Sequence, residues 1–217
     1  MLEVNGHRIV ILRDVSGSMD EMDCDGQTRH NFIAEKLASF APAAAQSAAG
    51  QVVYLLPFNS RVKDIVQLRT AADVAAAEKK YGTGGSTGTA DALEQAWKLH
   101  NTDPSVPTMV FLVTDGHPDS ESDVDREIIA ITKRMKAPEE FRIMILTVGE
   151  RNDQLNQWLE HLDADLAPSG AAFDIVGENE LAQCNFQESA AELIKSTTTN
   201  SEAAAGHTEG KKTVRVD

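Results

Sequence analysis

The sequence predicts an α/β fold: a doubly wound, Rossmann-like, mostly parallel six-stranded sheet with helices on both faces and one short antiparallel edge strand. Three observations support this. Strand-like runs alternate with segments of helical period along the chain, which is typical of parallel sheets. Most of the strand-like runs are continuously apolar, as in central strands covered on both faces. One run, KDIVQL at residues 63–68, is shorter and more polar, as expected of an edge strand.

Six segments have the composition of strands. They are residues 8–14, 52–58, 63–68, 108–115, 141–148 and 172–176.

Apolar residues recur at helical spacing between and after these strands. Thr70 and Asp73 form a capping-box pattern that predicts a short helix ending near Tyr81. The other predicted helices are marked by the stripes Ile33–Leu37–Phe40–Ala41–Ala44–Ala48, Leu93–Ala96–Trp97, Ile128–Ile131–Met135, Leu155–Trp158–Leu159–Leu162 and Leu181–Cys184–Ala191–Ile194. Trp97 and Trp158 are thereby predicted to lie in the core.

The overall composition indicates one globular domain, residues 1–196, followed by a flexible polar tail, residues 197–217. The chain has 217 residues, of which 41% are hydrophobic and 25% charged. A formal net charge of −14 opposes binding to nucleic acid phosphates. No apolar run approaches the ~20 residues of a membrane-spanning helix.

The N-terminus and the cysteines predict a cytoplasmic protein. No apolar signal segment follows Met1. Two cysteines, Cys24 and Cys184, do not form a disulfide framework, so a reducing compartment fits best.

Polar side chains cluster where two of the apolar strands end. Asp14, Ser16 and Ser18 follow the first strand, and Asp115 ends the strand at 108–115. Between them, the glycine-rich segment GTGGSTGTADAL presents Thr87 and Thr89 at the start of a helix. In open α/β sheets, ligands bind outside the carboxyl ends of strands where the strand order reverses. If the two strands are neighbours, all three loops meet there.

Two carboxylates and several hydroxyls are hard oxygen donors, which select Mg²⁺, Mn²⁺ or Ca²⁺ over softer metals. A site with few ligands and little charge leaves the ion electrophilic. An open coordination position would then accept a carboxylate from another protein.

The motifs DVSGSM, GGSTGTADAL and VTDG, in this order, resemble the von Willebrand factor A domain family and its metal-ion-dependent adhesion site over about residues 5–195. The resemblance implies direct ligation of Mg²⁺, or of Mn²⁺ or Ca²⁺, by Ser16, Ser18 and Thr87, with Asp14 and Asp115 acting largely through water. Thr89 is the alternative to Thr87. It also implies a protein-binding module rather than an enzyme.

The same resemblance suggests a setting. Intracellular bacterial members of this length, TerY-like or MoxR-associated, often occur beside AAA+ ATPases or in stress-resistance gene sets, as adaptors or assembly factors. Such an ATPase or its client is the expected partner. The alternatives are an extracellular adhesion domain and a metal-dependent phosphohydrolase with Asp20 or His117 as base.

A buried arginine and two acidic clusters lead to further predictions. Arg13, on the first strand, should meet a helix carboxylate, because an unpaired buried charge is costly. An acidic loop carries Asp20, Glu21, Asp23 and Asp25; it is either a solvated loop or a rim that selects basic partners. A second cluster, Asp119, Glu121, Asp123 and Asp125, lacks the spacing of an EF-hand calcium loop.

Overall fold

The computed structural model describes residues 6–164, 166–182, 186, 188 and 189. It contains one six-stranded sheet in the order β3-β2-β1-β4-β5-β6. Its strands are β1 Arg8–Asp14, β2 Val53–Phe58, β3 Val66–Leu68, β4 Thr108–Thr114, β5 Phe141–Thr147 and β6 Val176–Glu180. The neighbouring pairs are parallel except β2 and β3, which are antiparallel. The predicted fold is confirmed.

Within the continuously described parts of the chain, five α-helices surround the sheet: α1 Arg29–Ser47, α2 Ala71–Lys80, α3 Thr89–His100, α4 Glu121–Arg134 and α5 Asp153–Ala164. The Thr70–Asp73 capping box opens α2 as predicted. None of the helices described is long and apolar enough to cross a bilayer.

The two faces of the sheet bury separate cores. Ile9 and Ile11 of β1 contribute to the core that includes α1 and α2, whereas Val10 and Leu12 contribute to the core that includes α3, α4 and α5. Successive side chains of a strand point to opposite faces. A strand covered on both faces is therefore apolar throughout, which explains the uninterrupted runs.

The chain reverses its direction of winding at β1. From β1 it proceeds outward to β2 and β3, and it then returns to form β4 against the other side of β1. The carboxyl ends of β1 and β4 consequently lie side by side at the point where the strand order reverses. The loops after these two strands share one crevice, where ligands bind in folds of this kind.

Two predicted strands are wrong in position. The sixth strand spans Val176–Glu180 rather than 172–176. As an edge strand it is half-exposed and mostly polar, and Phe173 and Ile175 pack into the core just before it begins. Apolar content therefore indicated the approach to the strand instead of the strand itself.

The third strand begins at Val66 rather than at residue 63. Lys63 still belongs to the turn after β2, since its N–H donates to the carbonyl of Pro57. The Asp64 carboxylate accepts from the N–H of Ile65, which also favours a turn.

Arg13 meets a helix carboxylate, as predicted. Its guanidinium contacts Glu78 of α2, and it also donates to the carbonyl and to Nδ1 of His30. Trp97 and Trp158 are buried, as expected, and Cys24 is a buried free thiol. The helix predicted from the Leu181–Ile194 stripe, including Cys184, lies largely outside the described residues, as do the domain boundary at 196 and the tail 197–217.

Candidate metal-ion site

Asp14 is the last residue of β1, and its side chain has no exposed surface. The N–H of Ser16 donates to its Oδ1 at 2.7 Å, and the hydroxyl of Thr114 donates to its Oδ2 at 2.7 Å. Burial nevertheless raises the pKa of Asp14 to about 6, because these two hydrogen bonds do not replace the lost solvation. The protein here maintains a buried negative charge that a cation would stabilise.

Ser16 and Ser18 stand together directly after Asp14. Their hydroxyl oxygens are 3.3 Å apart. Ser16 is buried whereas Ser18 is exposed. A 3₁₀ helix begins between them, at Gly17–Asp20, and its tight turn keeps the two hydroxyls close.

The glycine-rich loop is attached to the loop after β1 by its backbone. The N–H of Gly84 donates to the carbonyl of Val15 at 2.9 Å, and the N–H of Gly17 donates to the carbonyl of Gly85 at 3.2 Å. A Cβ on Gly88 would lie 2.4 Å from the carbonyl oxygen of Ser60. A side chain does not fit there, so this glycine permits the close approach that brings Thr87 to the crevice.

Asp119, which follows β4, holds the threonine loop. Its Oδ1 accepts from the N–H of Thr87 at 2.9 Å, its Oδ2 accepts from the hydroxyl of Ser86 at 2.7 Å, and its own N–H donates to the carbonyl of Thr87. The Thr87 residue is 9% exposed. Thr89 is the first residue of α3, with a side chain more deeply buried than that of Thr87.

Asp115 follows β4 and is also buried, at 8% exposure. The Nη1 of Arg29, at the start of α1, donates to its Oδ2 at 2.8 Å. Repulsion from Asp115 is among the smaller influences that raise the pKa of Asp14. The two carboxylates are thus close enough to interact, as expected for residues that share one cation.

Arg29 joins the acidic loop to Asp115. Its Nε donates to Asp23 at 2.9 Å, its Nη2 pairs with Glu21 at 2.8 Å, and the residue is only 7% exposed. Burial opposes its charge, but the hydrogen bonds to Asp23 and Asp115 outweigh burial and raise the pKa of Arg29 above its ordinary value. A Cβ on Gly149 would lie 2.3 Å from Nε, so glycine makes room for the guanidinium.

The sequence predicted a site of Asp14, Ser16, Ser18, Thr87 and Asp115, but this prediction did not include Arg29 or the role of Asp119. The signal for Asp119 was its place in an acidic run after a strand end, which was assigned to a separate cluster. The sequence contained no signal for Arg29, since its neighbour Asp115 is 86 residues away.

The remaining acidic residues do not converge. Glu121 pairs with His117 at 3.0 Å, and Asp125 pairs with His161 at 3.0 Å. Asp123 pairs with Arg126 at 2.7 Å. Over the part of the chain that the structure describes, no three His, Cys, Asp or Glu side chains form a group that could hold a metal. The crevice instead combines two carboxylates with hydroxyls, and this donor set fits a hard divalent cation.

An oxygen-rich crevice at the switch point of a doubly wound sheet defines a class of α/β ligand-binding domains. The model of the von Willebrand factor type A domain matches residues 9–188. The chain therefore belongs to the von Willebrand factor type A domain family. Domains of this family are generally protein-interaction or adhesion modules and are typically not enzymes.

Solved structures of low sequence identity share the fold. A von Willebrand factor type A protein from Catenulispora acidiphila has a TM-score of 0.56 at 19% identity, covering 91% of this chain and 43% of that one. The manganese-loaded TRAP protein of Plasmodium vivax has a TM-score of 0.58 at 18% identity, covering 88% and 72%.

The VWA domain of SpRpn10 has a TM-score of 0.56 at 13% identity, covering 88% of this chain and 94% of that one. This chain thus spans less than half of the Catenulispora protein and nearly all of the SpRpn10 domain. No curated protein sequence matches it significantly.

Proposed function

We propose that this chain is a divalent-metal-dependent protein-binding module that captures a carboxylate side chain of its partner. The observation that carries the proposal is the fully buried carboxylate of Asp14, next to the hydroxyls of Ser16 and Ser18. A buried charge of this kind needs a compensating cation. The threonine loop and Asp115 border the same crevice.

Each side chain has a separate role in this proposal. Ser16, Ser18 and Thr87 contribute neutral hydroxyls as direct ligands, while Asp14 and Asp115 contribute negative charge, largely through water. Mg²⁺ is the proposed ion, with Mn²⁺ or Ca²⁺ as substitutes, and the manganese-loaded state of the Plasmodium vivax TRAP protein supports a divalent ion in general. Once bound, the ion supplies positive charge to an incoming carboxylate.

The side chains near the crevice do not favour catalysis. Burial and the neighbouring Asp23 raise the pKa of Cys24, which disfavours its nucleophilic thiolate. The His117 ring is hydrogen-bonded to Glu121, and Asp20 lies exposed in the acidic loop.

The setting we propose is the cytoplasm of a bacterium, where the module would serve as an adaptor or assembly factor in a stress-resistance or MoxR-linked system. An AAA+ ATPase or its client is the proposed partner. This part of the proposal rests on the resemblance to TerY-like and MoxR-associated proteins. The net charge of −14 also suits a partner with a basic surface around its acidic side chain.

Calorimetric titration with MnCl₂ and MgCl₂ tests metal binding. We expect the wild type to bind one ion, and we expect Thr87→Ala to weaken binding at least about tenfold because a direct ligand is lost. Thr102→Ala is the matched control, since Thr102 lies after α3 and its hydroxyl donates to the carbonyl of Leu99. If Thr89→Ala weakens binding and Thr87→Ala does not, then Thr89 is the ligand.

Affinity capture tests the protein-binding step. Wild type and Thr87→Ala serve as bait in extracts that contain Mg²⁺ or EDTA. A partner that uses the metal binds the wild type in Mg²⁺ and is lost both in EDTA and with the variant. Partners retained under all four conditions would refute capture through the metal.

A further inference from the structure

We infer that Arg29 is a positioning residue that acts through Asp115 to weaken metal binding in the absence of a partner and to strengthen capture of the partner's carboxylate. This inference rests on the proposed function. It concerns how much of the ion's charge the protein itself neutralises.

The contact that carries the inference is buried. Nη1 of Arg29 lies 2.8 Å from Oδ2 of Asp115, and the two residues are 7% and 8% exposed. Charge interactions are stronger in such an environment than in water. A guanidinium remains protonated under all ordinary conditions. Part of the negative charge of Asp115 is therefore balanced before any metal ion arrives.

Arg29 is held in place from its other sides. Asp23 accepts from Nε at 2.9 Å and from Nη2, and Glu21 accepts from Nη2 at 2.8 Å. The carbonyl of Ser18 accepts from Nη1 at 3.4 Å. The backbone at Gly149 lies against the guanidinium. Because these contacts come from the acidic loop and from the end of β5, the guanidinium is fixed beside Asp115.

The consequence concerns the charge left on the bound ion. The hydroxyls of Ser16, Ser18 and Thr87 are neutral, and Arg29 offsets Asp115. Among the described residues, the hydrogen-bond partners of Asp14 are the neutral Ser16 and Thr114, so its negative charge is left to act on the ion. A divalent ion held in this way keeps more of its positive charge, so it binds the protein less tightly and attracts an incoming carboxylate more strongly.

Two constants measured on three variants test this inference. The first is the dissociation constant of Mn²⁺ without other ligands, obtained by calorimetry. The second is the dissociation constant of glutarate, a carboxylate probe, from the Mn²⁺-loaded protein, obtained from water-proton relaxation. The variants are Arg29→Met, Arg29→Lys and, as a matched control, Arg126→Met, whose side chain on α4 is exposed and pairs with Asp123.

We expect Arg29→Met to bind Mn²⁺ about tenfold more tightly and glutarate about tenfold more weakly, because a buried unit charge is removed beside Asp115. Arg29→Lys keeps the charge and should stay closer to the wild type in both constants. Arg126→Met should match the wild type. Local damage to the site would weaken the binding of both Mn²⁺ and glutarate. Opposite changes in the two dissociation constants therefore distinguish the proposed role from a structural one.

Asp23→Asn provides a second test should Arg29→Met fail to fold. It removes a competing carboxylate and leaves Arg29 more fully available to Asp115. We expect weaker Mn²⁺ binding and stronger glutarate binding. The inference is overturned if the variant that is used leaves both constants unchanged or moves them in the same direction. A wild type that binds no Mn²⁺, or binds Mn²⁺ but no glutarate, overturns the proposed function and the inference with it.

Discussion

The hydroxyl of Thr114, at the end of β4, donates a 2.7 Å hydrogen bond to the buried carboxylate of Asp14, at the end of β1. This bond joins residues 100 positions apart and fixes the two strand ends that border the crevice. It also stabilises a carboxylate that has no contact with solvent.

Asp14→Asn should therefore stabilise the metal-free protein while abolishing its response to metal. The amide removes a charge whose burial raises the pKa of Asp14 to about 6. Its oxygen can still accept from Ser16, and its NH₂ can donate to Thr114. We expect a gain of about 1–3 kcal/mol in the free energy of unfolding at pH 7.5, measured by urea denaturation in EDTA.

The same variant should gain no stability from Mn²⁺, whereas the stability of the wild type should rise with the logarithm of the Mn²⁺ concentration once that concentration exceeds the dissociation constant. A variant that is less stable than the wild type in EDTA, or that is still stabilised by Mn²⁺, would contradict this interpretation of Asp14.

Asp119→Ala should weaken Mn²⁺ binding by about 10- to 100-fold, the range typical of groups that hold metal ligands in place. The Asp119 carboxylate accepts from the N–H of Thr87 and from the hydroxyl of Ser86, and the variant loses both hydrogen bonds. Asp123→Ala is the control, because Asp123 contacts Arg126 on the surface of α4. Calorimetry compares the two, and equal affinities would show that the threonine loop keeps its position without Asp119.

Gly88→Ala should destabilise the protein by about 1–3 kcal/mol, since overpacking against a fixed backbone has costs of this size. Its Cβ would lie 2.4 Å from the carbonyl oxygen of Ser60. Gly82→Ala in the same segment meets no atom within 4 Å and serves as the control. Thermal and urea unfolding measure both, and similar stabilities would mean that the loop shifts easily.

The lowered pKa of Asp64 leads us to expect that the free energy of unfolding falls in acid. The hydrogen bond from Lys80, with those from Tyr81 and the N–H of Ile65, lowers the pKa of Asp64 to about 2. Because the folded-state pKa lies below the unfolded one, the stabilisation is present above pH ~4. It is lost as the pH falls towards 2.

The unfolding free energies of wild type and Asp64→Asn should accordingly differ at pH 7 and converge below pH 3. The difference will be modest, because the pair is partly exposed and screened by solvent. Lys80→Met removes the hydrogen bond that contributes most to the lowered pKa of Asp64. The free energy of unfolding of this variant should therefore depend less on pH in the acid range. A constant difference between wild type and Asp64→Asn over this pH range would disprove the assignment.

Glu78→Gln should destabilise the protein by about 3–5 kcal/mol, as expected when a buried charge loses its partner. Arg13 is 2% exposed and contacts Glu78 at the interface between β1 and α2. The double variant Arg13→Met with Glu78→Leu should recover most of this loss. Urea unfolding of the wild type, Arg13→Met, Glu78→Leu and the double variant measures the coupling energy of the pair, and additive effects would rule this coupling out.

The sequence predicted the features that are encoded locally. Asp14, Ser16 and Ser18 directly follow an apolar run, and Asp115 directly follows another, so their placement at neighbouring strand ends follows from the fold class. The position of Arg13 on an apolar strand also indicated that it meets a helix carboxylate, because an unpaired buried charge is costly. These inferences needed no knowledge of distant contacts.

What the sequence did not reveal depends on packing between separate segments. Arg29 lies at the start of α1, and its link to Asp115 exists only once α1 and β4 are assembled. Asp119 contacts a loop 32 residues earlier in the chain. The sixth strand is polar because one edge faces solvent, so hydrophobicity marked the adjacent core residues instead.

Gly149 makes the position of Arg29 possible, and this can be checked in the sequences of related proteins. Its φ of +81° and the missing Cβ leave the space that the guanidinium of Arg29 fills. Any larger residue at position 149 would displace the guanidinium of Arg29. The two positions should accordingly be inherited as a unit, and a homologue that has replaced one of them should also have abandoned the other.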